Sequence, residues 1–101
     1  MRDQGELAKV KSILSIVSEL APGHAVELRI PPYAAIQCVE GPKHTRGTPP
    51  NVVEMRAATL FALVAGEKTW SEGIESGDIH ASGERSNLEP LFSSVMNRMS
   101  A

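Results

Sequence analysis

At Pro22-Gly23 the hydrophobic period of this chain changes from helical to extended, and that change demands a fold in which a helix covers a sheet. Upstream, Leu7, Val10, Ile13, Leu14, Val17, Leu20 and Ala21 recur at steps of three and four, while Lys9, Lys11, Ser15 and Glu19 take the other side. The spacing predicts an amphipathic helix. Its polar face mixes both charges with serines, which fits packing on a core better than lying on a membrane. Proline clashes with a continuing helix, and glycine supplies the turn. From His24 onward, Val26, Leu28 and Ile30 alternate with Ala25, Glu27 and Arg29, the pattern of an antiparallel strand with one solvated face. Pro31-Pro32 ends it. Tyr33 to Glu40 reads as a second strand with Ala34, Ile36 and Cys38 on one face and Ala35, Gln37 and Val39 on the other. Because both faces are fairly apolar, it is expected to be more interior than the first. Val52 to Met55, after Pro49-Pro50, supplies a third strand, whose Glu54 is expected to meet water, Arg29 or Arg56.

The stretch from Ala57 to Phe92 closes over that sheet. Leu60, Phe61, Leu63 and Val64 form one broad apolar stripe on a helical period, and Gly66 can take the left-handed conformation that ends a helix. Thr69-Trp70-Ser71-Glu72 has the capping-box form and predicts a new helix start. Gly77 stops that helix, and Ile79 to Ser82 is short enough for a strand bounded by Gly83. Ser86-Asn87-Leu88-Glu89 repeats the capping-box pattern, with Pro90 in the first turn of a last helix that runs through Phe92 and Val95 toward Met99.

Composition then removes whole classes of function. A chain of 101 residues with 42% hydrophobic and 22% charged residues is an ordinary single domain, taken as 1–101. Its net charge of −2 and scarce aromatics (Tyr33, Phe61, Trp70 and Phe92) argue against a nucleic-acid partner, which needs a basic surface and stacking rings. No apolar run reaches the roughly 18 residues of a membrane span, and the N-terminus lacks the order of a signal peptide, so a cytoplasmic location is expected. Cys38 stands alone and reads as a small buried hydrophobe. His24, His44 and His80 are scattered, which implies no metal site. His80 beside Ser82 lacks an orienting acid, and Glu72 and Glu75 are explained by capping and solvation, so no catalytic residues and no cofactor are expected.

Two features could contact a ligand. The loop Gly41 to Pro50 concentrates Lys43, His44, Thr45 and Arg46, with Thr48 beyond, a set able to hold a carboxylate or phosphate. It lacks the Gly-Lys-Ser/Thr step of a phosphate-binding loop, and it also reads as a solvated hairpin loop. Trp70, a large ring at the first position of a short helix, suits the mouth of a pocket or the edge of a core.

The run Val52-Val53-Glu54-Met55, Thr59 to Gly66, Trp70, and Gly77-Asp78-Ile79-His80-Ala81-Ser82-Gly83 resembles the C-terminal half of sterol carrier protein domains. Upstream, Pro22 to Cys38 and Gly47-Thr48-Pro49-Pro50-Asn51 are similar to a small actinobacterial branch of bacterial sterol carrier protein orthologues. The resemblance covers roughly Leu7 to Val95. It implies an α+β fold, with a mostly antiparallel sheet of about five strands and helices packed on one face. The fifth strand would arise near Pro31 or His44. It also implies a non-catalytic carrier for a lipid, fatty acyl chain or sterol-like molecule, lined by Leu60, Phe61, Val64, Trp70, Ile79, Leu88 and Phe92. A polar head would reach Lys43, His44 or Arg46. The alternative is a protein-interaction domain with a filled core, a homodimer through a sheet edge or the first helix face.

Overall fold

The computed structural model describes residues 3–41 and 51–100. The head-group candidates Lys43, His44, Thr45 and Arg46 lie outside the described residues. Chain order is α1 (Gln4–Leu20), β1 (Val26–Ile30), β2 (Ala34–Cys38), β3 (Asn51–Met55), α2 (Ala57–Ala65), α3 (Trp70–Ser76), β4 (Ile79–Ser82) and α4 (Glu89–Ser100). The amphipathic stripe of α1 buries Val10, Ile13, Leu14 and Val17, and its first turn is capped by Asp3, whose Oδ1 accepts the Glu6 N–H at 3.0 Å. At its far end the Val39 N–H donates to the Ala21 carbonyl at 2.8 Å, so the tail of β2 is tied back to the helix. Gly23 sits under that crossing. A Cβ there would lie 2.2 Å from the Val39 carbonyl oxygen, which is why the turn admits only glycine.

Among the described residues the sheet is mixed and has four strands, in the order β2-β1-β3-β4. Two of its three pairings are antiparallel, as expected, but one is parallel and the described strands number four where about five were expected; the second place expected for a fifth, near His44, lies outside the described residues. β1 pairs antiparallel with β2, and β3 with β4, but β1 and β3 run parallel with Val26 opposite Asn51. β2 finishes where β1 begins, since Cys38 lies opposite Val26. β3 also begins at that end, on the far side of β1, and so must travel in the direction of β1. Between the parallel strands β1 and β3 the chain runs through residues 31–50, β2 included, which is more than the dozen or so residues that a parallel crossover requires. Near Pro31 there is a turn in place of a fifth strand, closed by the Tyr33 N–H donating to the Ile30 carbonyl at 2.8 Å.

A second correction concerns which strand is interior. β1 is flanked on both sides and β2 is an edge, with Ala35 and Gln37 exposed. One-sided alternation reports how many faces a strand buries, not how many neighbours it has. Glu27 and Arg29 survive in an interior strand because they point away from the helices. There the guanidinium holds Glu27 at 2.9 Å and reaches Glu54 at 3.9 Å. On the opposite face Val26, Leu28, Ile30, Val53 and Met55 are buried, together with Leu60, Leu63, Val64, Phe92 and Val95 from the helices. α4 packs on α1 and α2, α1 on β2, and α3 on β4.

The caps of the second half follow the local chemistry in three of four cases. Gly66 and Gly77 both end their helices with left-handed φ values of 78° and 82°. Thr69 and Glu72 form the reciprocal box, at 3.1 Å and 2.8 Å. The expected box from Ser86 does not form. Ser86 donates its hydroxyl to the Gly83 carbonyl at 2.8 Å, and Asn87 Oδ1 accepts the Glu89 N–H at 3.1 Å instead, so α4 starts two residues later, at Glu89.

Candidate functional site

Trp70 is the first residue of α3, and the Thr69–Glu72 box fixes the direction in which the helix leaves the preceding turn. That turn follows Gly66, whose left-handed φ lets the chain reverse between α2 and α3. The indole is thereby laid on α4, where it stacks with Phe92 at a centroid separation of 6.1 Å and an interplanar angle of 23°. Beside the stacked rings is an open groove of about 230 Å³. Its floor is Leu63, Gly66, Trp70, Phe92 and Met96, and its rim is Lys68, Thr69, Glu89 and Ser93. Lys68 Nζ already contacts Asp78 Oδ2 at 3.0 Å, and this contact, with a second from the Ser76 hydroxyl, holds the Asp78 carboxyl below its usual range.

The seven residues expected to line a pocket take different places. Trp70 and Phe92 line the groove. Leu60 has no exposed surface and Val64 only 6%, so both are parts of the filled core between sheet and helices. Phe61 lies on the flank of α2, with Lys9 Nζ 4.3 Å from its ring centroid. Ile79 borders a shallow surface at the β3–β4 edge with Val52 and Ile74. Leu88 borders another between α4 and the end of α1, with Leu20 and Leu91. The structure therefore separates the expected lining and brings only its aromatic pair together.

The sequence reading missed Leu63 and Met96 as groove residues. Met96 lies four positions after Phe92 and so shares its helix face, a spacing that was available to find it. Leu63 stands on the stripe already recognised in α2. What the spacing did not reveal is the end of that stripe at which the helices part. Gly66 decides this, because a Cβ there would come within 3.2 Å of the Met96 sulfur.

The remaining chemistry-bearing side chains do not converge on the groove. His80 and Ser82 are exposed along β4, opposite Glu54 and Val52. Cys38 is fully buried, and desolvation pushes its thiol up to about 11, which leaves it protonated and inert at neutral pH. No helix among the described residues is long and apolar enough to cross a membrane.

A family model described as a bacterial SCP ortholog matches residues 2–93 of the chain. Among curated proteins, none matches it.

Proposed function

The chain belongs to the family of bacterial sterol carrier protein orthologs, and from that premise we propose that it is a non-catalytic binding domain whose ligand is a single hydrocarbon chain laid in the groove beside Trp70. The observation that carries this reading is the groove itself, where two stacked rings, Leu63 and Met96 present apolar surface at the junction of α2, α3 and α4. At about 230 Å³ it falls below the roughly 300 Å³ at which pockets that enclose drug-sized ligands begin. A rigid sterol nucleus would protrude, whereas a fatty acyl chain can bury part of its length and leave the rest in water. Affinity then comes from apolar area removed from water, at about 25 cal/mol per Å². The thioether of Met96 and the open side of the groove suit a flexible chain, since methionine repacks at little cost.

Trp70 is the sole tryptophan, so the test is direct. A fatty acid brominated along its chain should quench Trp70 emission saturably, and the unbrominated acid should compete for the same site. Met96→Asp, placed where the side chain is only half-buried, puts a carboxylate on the groove floor and should weaken binding at least about tenfold while leaving the far-UV spectrum intact. Quenching that never saturates, or that is equal in Met96→Asp, would refute the groove as the site.

A further inference from the structure

At the other end of α2 from the groove, β3 passes into the helix through one residue, Arg56. This is the carboxyl end of the parallel pair β1 and β3, and Pro31, the residue after β1, stands beside it. A cavity of about 490 Å³ opens there, lined in part by Pro31, Glu54, Arg56, Thr59, Asp78 and His80. Space outside the carboxyl ends of parallel strands, faced by the start of a following helix, is where α/β proteins place anionic groups. α2 begins without a side-chain cap, and its first intrahelical bond is from the Leu60 N–H to the Arg56 carbonyl at 3.1 Å. The N–H groups of Ala57, Ala58 and Thr59 consequently have no acceptor within the helix.

Thr59 adds an independent observation. It is only 8% exposed, it lines the cavity, and its hydroxyl makes no hydrogen bond to any group among the described residues. A buried hydroxyl left without a partner is unfavourable, and an oxygen atom in the cavity would satisfy it. The lining also holds two carboxylates, each with a cation beside it, and Arg29 is shared between Glu54 and Glu27. Asp78 is engaged by Lys68 and by the Ser76 hydroxyl, both at 3.0 Å, and Glu54 by Arg29 at 3.9 Å. Arg56 is exposed and makes no close ion pair among the described residues, although its charge helps to hold the Asp78 carboxyl below its usual range.

We propose that this cavity binds a phosphate group, free or as the end of a small phosphate ester, held by the first N–H groups of α2, the Thr59 hydroxyl and the Arg56 guanidinium, with His80 on the rim. A phosphate offers oxygens enough to accept from all of these donors at once, which a carboxylate does not. The volume beyond the phosphate leaves room for the body of an ester.

Amide-resolved NMR titration with inorganic phosphate, at constant ionic strength set by sodium chloride, tests the assignment. Saturable shifts should concentrate at Ala57, Ala58 and Thr59. Arg56→Gln should weaken binding about tenfold and the isosteric Thr59→Val about fivefold, with the fold of each variant verified by its amide spectrum. Acetate should bind at least about tenfold more weakly than phosphate. Glycerol 1-phosphate binding more tightly than inorganic phosphate would assign an ester, and equal affinity would assign the free ion. Shifts that do not saturate or that spread evenly over the surface would overturn the proposal, as would affinity unchanged in both variants or matched by acetate. Because cavity and groove sit at opposite ends of α2, either result leaves the fatty-acid experiment to be decided on its own.

Discussion

Asn51 is 4% exposed and has no apolar role, so its place in the interior must be explained by what its amide joins. Its Nδ2 donates to the Ala25 carbonyl at 2.8 Å, and its Oδ1 accepts the Arg85 N–H at 2.9 Å. One side chain thus ties the start of β1 and the loop before α4 to the first residue of β3. Asn51→Ala removes both partners at once and strands two backbone groups that water reaches poorly, so it should destabilise the fold by about 2–4 kcal/mol, read as a lower urea midpoint with unchanged slope. Asn87→Ala, which removes only the exposed contact to the Glu89 N–H, should cost about 1 kcal/mol or less. Equal losses for the two variants would show that Asn51 is not the pin described. Its role was hidden in the sequence. After Pro49-Pro50 an asparagine reads as turn, and strands are poor in it. Its partners lie 26 and 34 residues away, where no local period reaches. Cys38, by contrast, was legible as a small buried side chain because alternation within one strand is enough to place it.

Among the elements, those set by neighbours in sequence could be read and those set by distant pairing could not. The stripe of α1, the glycine stops of α2 and α3 and the Thr69–Glu72 box are local, and each forms where the residues indicate. Strand order, the parallel pairing of β1 with β3 and the edge position of β2 depend on where the connection 39–50 carries the chain. Helix α3 shows both kinds of constraint. Glycine lowers the stability of a helix interior by about 1 kcal/mol relative to alanine, so Gly73 looks like an error from propensity alone. In the structure it is buried against β4, and a Cβ at that position would lie 2.3 Å from Ile79 Cδ1 and 2.7 Å from Cγ1. Ile79 is itself 3% exposed and cannot swing away freely. Overpacking of this kind costs about 1–3 kcal/mol, which exceeds the gain in propensity. Gly73→Ala should therefore lower the thermal midpoint, and Ile79→Val in the same chain should restore part of the loss. A rise in the midpoint for the single variant would mean that α3 and β4 are not in the close contact described.

In the whole molecule, α3 belongs to both candidate sites: Trp70 at its start borders the groove, and Gly77 and Asp78 just past its end border the cavity. The same short helix is held at each end by a carboxylate. Glu72 is kept below its usual range chiefly by the Thr69 N–H and then by the Thr69 hydroxyl, and Asp78 by Lys68 and then Ser76. A carboxylate whose folded value is depressed stabilises the fold above its ordinary range and loses that contribution as pH falls through the folded value. Both groups are exposed, so each contribution is small, and their joint loss should loosen α3 without unfolding a core that rests on α1, α2 and α4. Acidification below about pH 4 should accordingly redden the emission of Trp70 before the far-UV signal of the helices declines. In the double variant Glu72→Gln, Asp78→Asn the early emission step should vanish, because neither group can be protonated, while the later collapse keeps its midpoint. Coincident emission and far-UV transitions in the parent protein would show that α3 melts with the rest of the domain. The two sites would then share one stability with the core, with no helix between them that acid can loosen separately.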